Sequence, residues 1–110
     1  MKSTITFALA AGLTLAASVA TAETFIRAGT QEINVQVSDG KLYCTRVSDG
    51  FEMCNGMTKR TDGSWRGRKM KHPDMPGFMR FNGTVVIGAG ALKIKGCALG
   101  ICDSEAWTKQ

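Results

Sequence analysis

From Glu32 onward the chain is written in short alternating runs of apolar and polar residues. Ile33, Val35 and Val37 alternate with Asn34 and Gln36, the period of two that half-buried strands require. Asp39-Gly40 turns this run into a strand over Lys41–Val47, and Asp49-Gly50 turns that one into Phe51–Met57. Asp62-Gly63 leads into Ser64–Lys71. A loop over Lys71–Gly77 then holds both prolines of the chain. Asn82-Gly83, a favoured hairpin dipeptide, predicts a turn between Phe78–Phe81 and Thr84–Ile87. Gly88-Ala89-Gly90 opens a strand over Leu92–Cys97, in which Leu92 and Ile94 alternate with Lys93 and Lys95. The last strand runs from about Ile101 to Thr108.

No stretch after residue 22 has the i, i+3, i+4 apolar spacing and the caps of a helix. Strands at 8–12-residue spacing, with glycine at their turns, predict an all-β domain, a sandwich or a barrel. Val37-Ser38-Asp39-Gly40 and Val47-Ser48-Asp49-Gly50 are one turn solution used twice, too short to be a repeat architecture.

The opening 22 residues break this pattern. Lys2 is a positive start, Ile5 to Ala17 is apolar except at Thr6, Gly12 and Thr14, and Ala20-Thr21-Ala22 is a small-x-small cleavage pattern. These are the parts of a secretory signal peptide over residues 1–22, with cleavage before Glu23. The run is too short, and too rich in alanine, for a membrane span, which needs about 20 apolar residues. Removing 22 residues from 110 leaves 88, one domain with a thin core. No membrane span remains after that cleavage.

Export gives the four cysteines a meaning, because disulfides persist in oxidising compartments. Three pairings are possible on paper, and turn arithmetic favours one. With Ser48-Asp49-Gly50 as a three-residue loop, Val47 faces Phe51 and Cys44 faces Cys54. With Leu99-Gly100 as a two-residue loop, Cys97 faces Cys102. Directly opposed strand residues lie about 4.5–5.5 Å apart at Cα, a distance a disulfide spans. Cys44–Cys54 and Cys97–Cys102 are therefore expected, as local clips that fix strand edges.

Near the C-terminal end, Gly90-Ala91-Leu92-Lys93-Ile94-Lys95-Gly96-Cys97, then Gly100-Ile101-Cys102, then Trp107-Thr108-Lys109, resembles the close of the domain of unknown function 2147 family. Trp65-x-Gly67, Pro73 and Gly77 are similar to that family's middle. The likeness covers about residues 64–109. It implies a small exported bacterial protein with a lipocalin-like, calycin-type antiparallel meander barrel and no established activity. The family's opening Gly-x-Trp has no counterpart near Phe25–Glu32, and about two strands' worth of residues are missing. The expected barrel is thus one whose closure is open, with an interior filled by side chains.

Candidate chemistry is sparse. His72 is the only histidine, which excludes a histidine cluster, and beside Pro73 and Asp74 it reads as an exposed loop residue. Asp39, Asp49 and Asp62 stand singly in turns, so paired-carboxylate hydrolysis has no constellation. There is no Gly-x-Ser-x-Gly elbow and no C-x-x-C, and Cys97-x₄-Cys102 only approaches zinc-ligand spacing. No enzyme, cofactor or catalytic residue is indicated. Met70, His72 and Met75 crowd one loop and form a remote option for a soft metal such as Cu(I), weighed against methionine's ordinary use as gap filler.

The strongest positive feature is basic. Lys59, Arg60, Arg66, Arg68, Lys69 and Lys71 stand against Asp62 alone, with Trp65 among them. On a regular strand from Ser64, Arg66 and Arg68 share one face, while Trp65, Lys69 and Lys71 take the other; Gly67 or a bulge would re-aim that alternation. Trp65, Arg66, Arg68, Lys69 and Lys71 form the expected contact set for a small or anionic envelope ligand. The plainer alternative is a strand edge guarded by lysine and arginine. A net charge of +5, or +4 without Lys2, is too modest for a nucleic-acid signature, and nucleic acids are scarce outside the cytoplasm. The sequence thus points to a periplasmic or secreted, non-enzymatic binding protein. A second class remains: a protein-interaction module, such as an inhibitor, presenting the turn Ala98-Leu99-Gly100-Ile101 to a partner's cleft.

Overall fold

The computed structural model describes residues Thr21 to Gln110, so all but the last two residues of the expected signal segment lie outside it. The described chain is a closed barrel of eight antiparallel strands in meander order, with no helix. The strands are β1 (Thr21–Arg27), β2 (Gln31–Ser38), β3 (Lys41–Arg46), β4 (Glu52–Lys59), β5 (Trp65–Met70), β6 (Phe81–Ile87), β7 (Ala91–Ala98) and β8 (Ile101–Lys109). Closure comes from β1 pairing with β8 through Phe25↔Lys109 and Ile26↔Thr108. The question of closure is thereby answered: the first and last strands of the meander join.

The missing strand is β1, which the apolar pattern left unassigned. Its inward residues are Phe25 and Arg27, and Ala28-Gly29-Thr30 turns it into β2. The expected cleavage point after Ala22 falls inside β1, where Thr21 and Ala22 pair with Val37 and Gln36.

Alternation places the core. Phe25, Ile33, Val35, Leu42, Met57, Trp65, Val85, Leu92, Ile94 and Trp107 all point inward and are buried. Burial of such side chains from all eight strands supplies the stability, at roughly 1.5–3 kcal/mol for each fully buried large one. Two hairpins turn as read, with left-handed backbone at Asp39 (φ 52°), Gly40 (φ 75°), Leu99 (φ 54°) and Gly100 (φ 79°).

Two turn expectations need correction. Asn82-Gly83 is not a turn, because β6 runs straight through it and pairs Asn82 with Cys97 and Gly83 with Gly96. The physical reason is space inside the wall. A Cβ on inward-facing Gly83 would overlap the sulfur of Met70, so glycine is needed there as a seat for that side chain. The β3–β4 turn is one residue longer than assumed: the Phe51 carbonyl accepts from the Arg46 N–H, and Thr45 faces Glu52. A register shift between Cys44 and Thr45 then brings Cys44 opposite Cys54.

The disulfides are Cys44–Cys54 and Cys97–Cys102. They differ in kind. Cys44 and Cys54 are wholly buried among the core side chains, so this bridge is a core element and not an edge clip. Cys97 and Cys102 sit on the outer side of β7 and β8. Paired cysteines with no free thiol among the described residues fit an oxidising compartment.

Candidate functional site

The end of the barrel that carries the β1–β2, β3–β4, β5–β6 and β7–β8 connections is open. A cavity of about 180 Å³ lies there, between the inner wall and the loop over residues 71–80. Met53, Met70, Phe81, Ile94, Gly96 and Ala98 wall it from the barrel; Lys71, His72, Met75 and Met79 come from the loop; Leu99, Ile101, Asp103 and Glu105 come from the β7–β8 hairpin. The interior expected to be filled is thus filled below and hollow at one mouth.

The polar side of the mouth is a tight network. The Arg27 side chain is only 8% exposed, and it donates from Nε to Glu105 Oε1 at 2.7 Å and from Nη2 to Glu105 Oε2 at 2.9 Å. Its Nη1 donates to Gln31, and Trp107 Nε1 donates to Glu105 Oε1 at 3.0 Å. The Arg27 hydrogen bonds, aided by that of Trp107, hold the Glu105 carboxyl down from 4.5 to about 2. The Arg27 guanidinium is in turn held more firmly protonated by Glu105. A carboxylate so stabilised is a weak base, and no acid at neutral pH.

His72 is not the exposed loop residue expected. Its side chain is 24% exposed, with Nε2 at 3.4 Å from Glu105 Oε2 and 3.8 Å from Asp103 Oδ2. Its Nδ1 accepts from the Asp74 N–H at 3.1 Å. This fixes the tautomer of the neutral ring: the proton is on Nε2, facing the carboxylates. His72, Asp103 and Glu105 lie close enough together to hold a metal ion by spacing alone. Glu105 already spends both oxygens on Arg27 and Trp107, and the guanidinium cancels its charge. That is a poor arrangement for a hard divalent ion.

The expected contact set splits. Trp65 points inward and is 7% exposed, with Lys59 Nζ above its ring at 5.7 Å. A register shift between Gly67 and Met70 on β5 re-aims the next residues. Lys69 therefore joins Arg66 and Arg68 on the outside, whereas Lys71 goes to the mouth. Trp65 is a core residue, and the set Trp65, Arg66, Arg68, Lys69 and Lys71 is not one surface.

What replaces it is a broad groove on the outer wall. Between the Thr58↔Arg66 pair and the hydrogen bond from the Lys71 N–H to the Met53 carbonyl, β4 and β5 are not laddered. Lys41, Arg60, Arg66, Arg68, Lys69 and Lys95 line this groove together with Tyr43, Asn55, Thr58, Asn82 and Thr84. These are six of the chain's 14 lysines and arginines, and no acid is among the lining residues. Lys41 and Lys95 were outside the basic run in sequence. Only strand order could bring them in.

At the mouth, large apolar side chains face water. Leu99 is 93% exposed, Phe78 82% and Ile101 75%. Leu99 also holds its left-handed backbone at a steric cost that glycine or asparagine would avoid. No helix in the described residues is long and apolar enough to cross a membrane. No protein-family model matches the chain, and neither the curated proteins nor the solved structures give a match.

Proposed function

We propose that this chain is an exported, periplasmic or secreted, non-enzymatic binding protein whose outer groove receives an anionic component of the cell envelope. The observation that carries the reading is the acid-free ring of Lys41, Arg60, Arg66, Arg68, Lys69 and Lys95 around one concave surface. Six like charges brought together repel one another, and an anion relieves that repulsion as it gains charge-assisted hydrogen bonds. The ligand class follows from the donors: phosphate groups presented in series, as on a phosphorylated glycolipid or a phosphate polymer. The likeness of residues 64–109 to the domain of unknown function 2147 family stays part of the proposal and rests on those residues alone.

Titration with inorganic polyphosphate and with lipopolysaccharide tests the reading. Affinity is expected to fall by about tenfold or more between 50 and 200 mM salt, as for a site that neutralises several phosphates. The double variant Arg66→Glu/Arg68→Glu is expected to bind neither probe. Absent binding, or binding indifferent to salt, removes it.

A second reading, a protein-interaction module such as an enzyme inhibitor, is favoured by one observation: exposed Leu99, Ile101 and Phe78 around the mouth. Inhibition of a periplasmic or secreted enzyme that Leu99→Asp abolishes, with polyphosphate binding unchanged, would establish it beside the first.

A further inference from the structure

The methionines of the mouth go beyond either reading. Four of the chain's six, Met53, Met70, Met75 and Met79, line the same cavity. We propose that the barrel mouth is a soft-metal site, in which the thioether sulfurs of these four residues bind one Cu(I) or Ag(I) ion. Soft, neutral thioethers suit such ions and do poorly for hard divalent ones.

Methionine is ordinarily a filler of irregular gaps, and Met57, 1% exposed in the middle of the core, is used that way. The other four line the open mouth, although Met70 also fills the space left at Gly83. They stand around a space of about 180 Å³ that their side chains leave open. Two of them come from the barrel wall and are buried, Met53 at 3% and Met70 at 4% exposed. The other two come from the loop over residues 71–80, with Met75 48% exposed. An ion therefore has a fixed half-site to meet and a loop half-site to complete it.

Gly83 gives the fixed half its position. Met70 lies directly over the place where any side chain at residue 83 would begin, so its sulfur is seated by the missing Cβ. Thioethers also suit the compartment that the disulfides indicate. Every cysteine is consumed in a bridge, so thioethers are the soft sulfur ligands left to the chain. They need no deprotonation, and binding through them releases no proton.

His72 is on the wall of the cavity and is not assigned as a ligand. With Nδ1 accepting from Asp74 and Nε2–H directed at Glu105 and Asp103, neither nitrogen offers a free lone pair to the cavity. Sequence placed Met70, His72 and Met75 together; the structure adds Met53 and Met79 and removes His72.

The test is titration of the full disulfide-bonded protein with Ag(I), and with Cu(I) under a competing chelator, read by the carbon-13 methyl signals of the methionines. The expected result is one ion per chain, with shifts at Met53, Met70, Met75 and Met79 and none at Met57. Met75→Leu/Met79→Leu, confined to the loop, is expected to keep the fold and weaken binding at least about tenfold. His72→Ala is expected to change affinity by less than about twofold. Binding weaker than about micromolar overturns the site, as does full affinity in the loop variant or a Met57 shift equal to the others. A fall of about tenfold or more in His72→Ala overturns the all-thioether assignment.

Discussion

The wall made by β5, β6 and β7 has two sides of opposite chemistry. Inward, at the mouth, it presents Met70, Phe81, Gly96 and Ala98 to an apolar cavity. Outward, over the same stretch, it presents Arg68, Lys69, Asn82 and Lys95 to a basic groove. One residue along a strand separates the two, because successive side chains point to opposite faces. The sides also differ in how they are held. The mouth is locked by a buried ion pair, a seat at Gly83 and a loop; the groove is made of exposed cations at which no comparable network forms. Changes at the mouth should therefore cost stability, while changes in the groove should cost binding alone.

The largest effect is expected from Glu105→Gln. It leaves the Arg27 guanidinium, 8% exposed, without its bidentate partner. Removing one member of a buried pair typically costs about 3–5 kcal/mol, and Glu105 is partly exposed, so about 2–4 kcal/mol is expected. Urea unfolding gives the number. A loss below about 1 kcal/mol would mean that water replaces the carboxylate and that the mouth is looser than its hydrogen bonds imply.

Next comes Gly83→Val, which puts a branched side chain where Met70 lies. Overpacking of this kind costs about 1–3 kcal/mol. It should also unseat the sulfur of Met70, so Ag(I) binding should weaken while polyphosphate binding persists. Loss of both together would show that the two faces of the wall are mechanically coupled.

Acid gives a smaller effect with a definite sign. The folded Glu105 carboxyl lies at about 2 against an ordinary 4.5, so protons bind more readily to the unfolded chain. Its contribution to stability is complete above about pH 4.5 and drains away as the pH falls toward 2. It is worth about 1–2 kcal/mol once partial exposure is allowed for. Glu105→Gln should flatten that part of the pH profile. An unchanged profile would place the acid sensitivity elsewhere.

Much of this fold was legible in sequence, and the reason is local. Alternation at Ile33-Val35-Val37 and Leu92-Ile94, with turn text such as Asp39-Gly40, fixes strands within a few residues, and the cysteine pairs follow from the turns. The Cys44–Cys54 pairing survives a turn one residue longer than the three-residue loop because a bulge beyond it restores the register. Asn82-Gly83 misled because a turn dipeptide carries no label for tertiary use: its glycine serves packing against Met70. β1 is hard to read because the signal-like text beside it claims Thr21 and Ala22, and because Arg27, a charged residue, takes one of its inward positions. The candidate sites were legible only in part. Lys41 and Lys95 reach the groove, and Met53 and Asp103 reach the mouth, only through pairings distant in sequence. No window on the chain contains them together.

The smallest effect on stability separates the two sides most cleanly. Arg66 and Arg68 are exposed on the outer face of β5 and belong to the acid-free groove. Exposed charge changes typically move stability by less than about 0.5 kcal/mol. Arg66→Glu/Arg68→Glu also places opposite charges among Lys41, Arg60, Lys69 and Lys95, which relieves repulsion and biases that small change toward stabilisation. The double variant should therefore melt at or slightly above the temperature of the parent, bind Ag(I) as the parent does, and lose polyphosphate. A destabilisation of more than about 1 kcal/mol would mean that the arginine stems pack across the gap where β4 and β5 part, making the groove part of the fold as well as its binding face.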